Sequence, residues 1–167
     1  MNNKAASTAR QPLKFERSYE APLEDLWDLW TTKEGFESWW GPEGFRVEVH
    51  KLDLRVGGEL FYDMIAVGAA EIEYMNDAGM PVSHETRGTF VEIEAHSRLK
   101  ILHVIDFIPG VEAYENNIAV EFVAEGASVR MVVTIDQHRD EEWTRLAGEG
   151  FESQLKKLPG ALAARRS

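Results

Sequence analysis

The chain contains no cysteine and no long apolar run, and these two absences exclude several classes of protein. Without cysteine there is no disulfide, no thiolate metal site and no cysteine nucleophile. No apolar stretch reaches the ~20 residues that a transmembrane helix requires. The first segment, Met1–Pro12, is polar and lacks the apolar centre of a secretory signal. We therefore expect a cytoplasmic protein without membrane insertion.

Basic residues are scarce, because 18 lysines and arginines stand against 29 acidic residues, which gives a formal net charge of -11. A surface this negative repels phosphate backbones and anionic membranes, so nucleic acid is excluded as a partner. The length of 167 residues suits one domain. We expect a disordered leader at residues 1–12, a single domain at 13–160 and a frayed tail at 161–167.

The N-terminal region predicts one strand followed by two short helices. Alternating apolar and polar residues predict a strand over Leu13–Glu20. Pro22 suits the first turn of a helix. The apolar residues that follow it have the spacing of an amphipathic helix: Leu23, Leu26, Trp27 and Trp30. Thr31 and Glu34 fit the capping box of a second helix, which Gly41-Pro42 ends.

The rest of the chain predicts three antiparallel hairpins and a closing helix. The paired strands are expected at 45–54 with 59–67, at 86–95 with 98–107, and at 116–124 with 128–137. A short helix at 69–76 interrupts them within a long connection, 68–83. The last helix, Asp140–Leu158, has an apolar face that suits one face of a sheet. This order predicts an α+β fold with about seven antiparallel strands.

Several of these segments resemble a known family. They are Ala21-Pro22 with Trp27, the run Trp39-Trp40-Gly41-Pro42, the segments 53–58 and 88–93, and the helix that ends in Leu155 and Leu158. Their order over about residues 13–160 is similar to that of the START-like (SRPBCC) superfamily. Within this superfamily, the chain most resembles the AHSA-like family, whose members are similar to the C-terminal domain of the heat-shock ATPase activator.

This resemblance implies a helix-grip fold. In that fold a curved antiparallel sheet of six or seven strands wraps around a long C-terminal helix, and two short helices follow the first strand. It also implies a hydrophobic cavity between the sheet and the helix that binds an apolar ligand. The connection 68–83 is longer than a simple hairpin, so we expect a different cavity mouth here.

The common motifs of metal, phosphate and covalent chemistry are missing. No histidine has a histidine partner at i+2 or i+4, although the strands leave open that His50 and His103 converge. Gly57-Gly58 lacks the lysine of a phosphate-binding loop and is expected to form a tight turn. No Gly-x-Ser-x-Gly elbow is present. The sequence therefore predicts no metal and no cofactor.

His103 is the most informative polar residue, since it lies among apolar residues in the strand 101–105. A buried histidine needs a hydrogen-bond partner. It is either a core residue with its hydrogen bonds made, or a polar anchor or general base in an apolar pocket. The residues that we expect to line this pocket are Trp39, Trp40, Tyr62, Met64, His103, Trp143 and Phe151.

Two other features have two interpretations each. Gly150, on the inward face of the last helix, allows either close packing or room for a ligand, whereas Gly148 faces outward. Three methionines surround the connection 68–83 and are either core residues or part of a lid over the cavity: Met64, Met75 and Met80.

The leading hypothesis is a protein that binds a small, mainly apolar molecule with one polar group, which His103 or a nearby acid orients. The second is an enzyme of the same fold, a cyclase or hydrolase, which requires His103 beside a buried carboxylate. The third, by analogy alone, is an interaction module that modulates a chaperone ATPase. Homodimerisation through an edge strand or exposed aromatic residues stays open.

Overall fold

The structure, a computed structural model, describes residues 11–106, 108 and 110–165. The predictions for residues 1–10, for Phe107 and for residues 166–167 lie outside the described residues. Within the described ranges, no helix has both the length and the apolar character that crossing a membrane demands.

Strands and helices follow one another in the predicted order. They are β1 (Leu13–Tyr19), α1 (Leu23–Thr31), α2 (Lys33–Trp39), β2 (Phe45–Leu52), β3 (Glu59–Ala66), α3 (Ala69–Asp77), β4 (Ser83–Glu94), β5 (Arg98–Ile105), β6 (Tyr114–Glu125), β7 (Ser128–Ile135), α4 (Glu141–Leu155) and α5 (Leu158–Arg165).

One antiparallel sheet contains all seven strands in the order β1-β7-β6-β5-β4-β3-β2. Irregularities in the register at Val49/Lys51 and at Phe90/Glu92 bend the strands there. A Cβ on Gly88 would lie 3.1 Å from the Ile101 side chain, so β4 approaches β5 closely at this point. The sheet curves around one face, and the predicted α+β helix-grip fold is confirmed.

The register brings polar residues of neighbouring strands side by side. Tyr62 of β3 pairs with Thr86 of β4, and His103 of β5 pairs with Asn116 of β6. Residues directly opposite each other on antiparallel strands point to the same face of the sheet. These four side chains therefore lie on the concave face.

The N-cap of α2 lies one residue later than predicted, and no capping box forms, because Gly35 and not Glu34 lies three residues after it. Thr32, not Thr31, is the N-cap of α2, and its side chain accepts a hydrogen bond from the Gly35 amide at 3.0 Å. The reason is the backbone, because Thr32 is extended, as an N-cap must be, whereas Thr31 is still the last residue of α1. The Thr31 hydroxyl instead donates to the Trp27 carbonyl at 2.7 Å.

The closing helix is shorter than predicted, since α4 ends at Leu155 and not at residue 158. A proline within a helix clashes with the carbonyl four residues before it. Pro159 would therefore clash with the carbonyl of Leu155 if the helix continued. The chain turns at residues 156–157 instead, and Pro159 lies in the first turn of α5, where its missing N–H costs nothing.

The predicted frayed tail is wrong for residues 161–165, which belong to α5. Ala161 and Leu162 are buried, and α5 packs against α1 and α2. The Arg165 side chain also donates to the Asp28 carboxylate at 2.6 Å. Apolar burial at two positions and this ion pair hold the segment against the domain.

The interior has two parts. The larger part is an aromatic core under α1 and α2, in which Trp30, Phe36 and Trp39 are 0% exposed. The smaller part is a cluster of Ala66 with two methionines of the 68–83 connection, Met75 and Met80. A cavity lies beside this second part.

Candidate functional site

A cavity of about 370 Å³ lies between the concave face of the sheet and α4. Strands β3 to β7 contribute one wall, α4 contributes the opposite wall, and α3 with the residues after it closes one side. Its lining is Trp40, Pro42, Phe45, Tyr62, Met64, Tyr74, Met75, Met80, His84, Thr86, His103, Ile105, Ile108, Asn116, Ile118, Ile135, His138, Trp143, Leu146, Ala147, Gly150, Phe151 and Gln154.

The structure brings together most of the residues that we expected at this site. Six of them lie in the lining: Trp40, Tyr62, Met64, His103, Trp143 and Phe151. Trp39 does not. Its indole N–H donates to the Leu29 carbonyl at 2.8 Å, inside the aromatic core. Trp39 is the last residue of α2 and packs against α1, whereas Trp40 is its C-cap, has an extended backbone and faces the cavity.

Three buried side chains form a hydrogen-bonded chain along this lining. The Trp40 indole N–H donates to the Tyr62 hydroxyl at 3.0 Å. The same hydroxyl lies 3.2 Å from His103 Nε2. The Trp40 and His103 rings are nearly parallel, with an interplanar angle of 13° and a centroid distance of 6.4 Å. His103 is thus held in one orientation by a phenol.

Burial keeps this chain uncharged at neutral pH. Desolvation, reinforced by nearby His138, lowers the pKa of His103 to about 4. Burial likewise raises the pKa of the Tyr62 hydroxyl above its ordinary value. An imidazole with this pKa is neutral at pH 7 and carries one hydrogen on one of its two nitrogens.

Two lining residues keep buried polar atoms without a partner. His103 Nδ1 and Gln154 Nε2 have no hydrogen bond within the part of the chain that the structure describes. Both side chains are 4% exposed. The other end of the Gln154 amide is satisfied, since its Oε1 accepts from the Gly41 amide at 2.7 Å. Because buried polar groups are nearly always paired, with protein or with water, these two atoms are available to hydrogen-bond a molecule in the cavity.

Other polar lining residues were missed by the sequence analysis. They are His84, Thr86, Asn116 and His138. His138 Nδ1 lies 2.5 Å from the Tyr114 hydroxyl, and burial lowers the pKa of both His84 and His138. The strand register would have identified Thr86 and Asn116 as site residues, since Thr86 lies opposite Tyr62 and Asn116 lies opposite His103.

The lining contains no aspartate or glutamate among the residues that the structure describes. The sequence predicted that an acid could orient the ligand, and the enzyme hypothesis requires a carboxylate beside His103. Neither is found in this part of the site. The partner of His103 is the Tyr62 hydroxyl instead. The arrangement suits binding and orientation of a molecule better than acid–base catalysis by a histidine–carboxylate pair.

His50 lies on the other face of the sheet and does not converge with His103. Its Nε2 is 2.9 Å from the Asp63 carboxylate. With Glu48, these residues offer ligand atoms within 4.8 Å of one another, so the three could hold a metal ion. Glu48 and His50 are both exposed, and Arg46 forms an ion pair with Glu48.

The fold and the cavity define a protein of the helix-grip (SRPBCC) type. The family model described as Activator of Hsp90 ATPase homolog 1-like protein matches residues 20–163, so the chain belongs to this family. The resemblance to AHSA-like proteins is thereby confirmed. A comparison with curated protein sequences finds no match.

Solved structures show the same fold at low sequence identity. The AHSA1 protein of Silicibacter pomeroyi is 21% identical, with a TM-score of 0.71 and coverage of 92% of this chain and 99% of that chain. A protein from Chromobacterium violaceum is 16% identical, with a TM-score of 0.71 and coverage of 92% and 98%. A protein from Arthrobacter aurescens is 20% identical, with a TM-score of 0.70 and coverage of 92% and 87%.

Proposed function

We propose that this protein binds a small, mainly apolar molecule with one polar group in the cavity between the sheet and α4. The observation that carries the proposal is the pairing of an apolar cavity with two buried, unpartnered polar atoms in its lining, His103 Nδ1 and Gln154 Nε2. A volume of about 370 Å³ is within the range of small-molecule sites.

Apolar contacts supply most of the attraction. Aromatic rings line both walls, with Trp40 on one side and Trp143 and Phe151 on α4. Burial of ligand surface against such rings contributes about 25 cal/mol per Å². The polar atoms then select an orientation, because a ligand that leaves them unpaired forfeits hydrogen bonds.

The mouth of the cavity is formed by the 68–83 connection. Tyr74, Met75 and Met80 lie in the lining, and Tyr74 is 53% exposed. Methionine side chains adapt to different apolar shapes. The connection then acts as a lid over the cavity, which is one of the two interpretations given above for its methionines.

Native mass spectrometry of the purified protein, followed by extraction of the bound compound, tests the proposal. The matched variants are Gly150→Leu and Gly148→Leu. A Cβ on Gly150 would meet only Pro42 at 3.9 Å, so the leucine extends into the cavity, whereas a Cβ on Gly148 meets Leu13, outside the lining.

We expect the wild type and Gly148→Leu to carry an apolar compound, or to bind members of a panel of apolar acids, ketones and sterols by isothermal titration calorimetry. Gly150→Leu should bind at least tenfold more weakly, since about 1.4 kcal/mol of lost contacts suffices for that. Failure of the folded wild type to bind any panel member at millimolar concentration would refute the proposal.

A second candidate function follows from the family match over residues 20–163. In this alternative the domain stimulates the ATPase of an Hsp90 chaperone. ATP hydrolysis by the purified chaperone, measured with and without this protein, decides between the two. A rate increase that persists in Gly150→Leu would favour chaperone modulation, since that activity does not need the cavity.

A further inference from the structure

The hydrogen-bonded chain favours one of the two tautomers of His103. An indole N–H can only donate, so Trp40 uses a lone pair of the Tyr62 oxygen. The remaining O–H of Tyr62 is a stronger donor than an imidazole N–H, and an imidazole nitrogen is a stronger acceptor than a phenol oxygen. The Tyr62 hydrogen then points to His103 Nε2, at 3.2 Å. Since Nε2 accepts, the neutral imidazole carries its hydrogen on Nδ1, and the unpartnered atom is a donor.

The second unpartnered atom is also a donor. The Gly41 amide donates to one end of the Gln154 side chain, and only its oxygen can accept. This contact fixes the orientation of the amide, so its NH₂ group is the end without a partner. Trp30 Nε1 lacks a partner too, but Trp30 is absent from the cavity lining and belongs to the aromatic core.

The charge of the lining limits the ligand further. Among the described residues, the lining contains no lysine or arginine to pair with an anion and no carboxylate to pair with a cation. An unpaired charge taken out of water is costly. Its three histidines all have pKa values lowered by burial, which disfavours their charged forms: His84, His103 and His138.

We infer that the polar group of the ligand is an uncharged hydrogen-bond acceptor, of which a carbonyl oxygen is the simplest, and that it accepts from His103 Nδ1–H, from the Gln154 NH₂, or from both. This inference rests on the proposed binding function. It names the class of compound as neutral, largely apolar ketones, esters, lactones and quinones, and it excludes fatty acids in their ionised form.

Three synthetic probes of similar shape test the inference with the full chain. Cyclohexyl phenyl ketone carries the acceptor, benzylcyclohexane replaces its carbonyl by CH₂, and cyclohexylphenylacetate is the anion. Their dissociation constants are measured at neutral pH by isothermal titration calorimetry. A purely apolar cavity favours the hydrocarbon, because the carbonyl must lose its water. We expect the opposite order, with the ketone about tenfold tighter than the hydrocarbon and the anion weakest.

Two pairs of variants assign the effect to the two donors. His103→Phe removes the Nδ1 donor, whereas His103→Asn keeps an amide near the same position. Gln154→Met removes the NH₂ donor together with the oxygen that accepts from Gly41, whereas Gln154→Asn keeps a shorter amide. Circular dichroism and thermal unfolding establish that each variant is folded before its affinities are compared.

In His103→Phe and in Gln154→Met we expect the preference for ketone over hydrocarbon to fall by about fivefold, while hydrocarbon affinity changes less than about threefold. His103→Asn should retain most of the preference. The infrared C=O stretch of the bound ketone should lie at lower frequency in the wild type than in His103→Phe, which reports the hydrogen bond directly.

The two proposals fail in different ways. If none of the probes and no panel compound binds the wild type, the proposed function fails and this inference with it. If benzylcyclohexane binds the wild type as tightly as the ketone, or the anion binds best, only the inference about the acceptor is overturned. The same holds if the folded His103 and Gln154 variants keep the full preference for the ketone.

Discussion

The two ends of the interior differ in how completely side chains fill them. Under α1 and α2 the Trp30 ring lies 5.2 Å from that of Trp39 and 5.3 Å from that of Trp40, both edge to face. Phe36 stacks on Trp40 at 4.5 Å. At the other end, under α3 and α4, the same sheet faces methionines, a glycine and a cavity of about 370 Å³.

The difference comes from the covering helices and not from the sheet. Helix α1 presents two tryptophans and two leucines to the interior, all buried: Leu26, Trp27, Leu29 and Trp30. Helix α4 presents two small residues to the cavity, Ala147 and Gly150, between the larger Trp143 and Phe151. Small residues on the covering helix leave the strands without contacts, and the space between them remains open.

The largest expected effect tests whether the aromatic end is the main source of stability. Trp39→Ala should lower the free energy of unfolding by about 3–5 kcal/mol, because it removes a fully buried ring and leaves a void. Trp143→Ala, at the half-buried cavity end, should cost less than half of that. Urea denaturation of both variants gives the comparison.

The same pair separates stability from binding. Trp143→Ala should weaken binding of cyclohexyl phenyl ketone, since Trp143 lines the cavity. Trp39→Ala should leave the affinity of the folded fraction nearly unchanged. Equal stability losses in the two variants would contradict the division of the interior into a filled and a hollow end.

The next prediction concerns the pH dependence of the free energy of unfolding and tests the contribution of the buried His103 imidazole at the cavity end. The pKa of His103 is lowered from 6.5 to about 4, so the unfolded chain takes up this proton first as the pH falls. The stability contributed by neutral His103 is complete above pH 6.5 and is lost as the pH falls towards 4, by roughly 3 kcal/mol.

The His103→Gln variant provides the control, since its amide can still contact Tyr62. His84 and His138 titrate in the same sense, because burial lowers their pKa values too, and they remain in the variant. Urea denaturation from pH 7 to 4 should show a steeper loss in the wild type than in His103→Gln. Parallel curves would mean that His103 is hydrated in the folded protein.

The smallest effect compares two glycines, one at a close contact and one at the cavity. Gly88→Ala should cost about 1–3 kcal/mol, because its Cβ would lie 3.1 Å from the Leu102 carbonyl oxygen and from the Ile101 side chain. Gly150→Ala should gain up to about 1 kcal/mol, since it adds helix propensity to α4 where Pro42, at 3.9 Å, is the nearest neighbour.

Thermal and urea unfolding of the two alanine variants measures these changes. A destabilised Gly150→Ala would show that α4 packs closely at Gly150, and it would support the packing interpretation of this glycine over the interpretation that it leaves room for a ligand.

The order of the elements was readable from the sequence because periodicity reports which face is buried. In β5 the alternation of Leu99, Ile101, His103 and Ile105 is the observed burial pattern. Local rules failed where two of them competed. The predicted helix Asp140–Leu158 continues up to Pro159, whereas this proline requires an earlier break and lies in the first turn of the next helix.

The candidate site was less predictable, because its polar members come from strands that meet only in the folded sheet. Asn116 became a neighbour of His103 through the register of β5 and β6, which no local pattern specifies. Trp39 and Trp40 are adjacent in sequence, and only the direction of α2 decides that the second of them faces the cavity.

The distribution of indoles between the two ends has a practical consequence for spectroscopy. Of the five tryptophans, Trp40 and Trp143 line the cavity, whereas the others lie outside its lining. Replacing Trp143 by phenylalanine leaves one indole at the cavity wall, itself bonded to the phenol of Tyr62. In that variant, ligand binding changes the fluorescence of a single indole, because the other tryptophans lie outside the cavity lining.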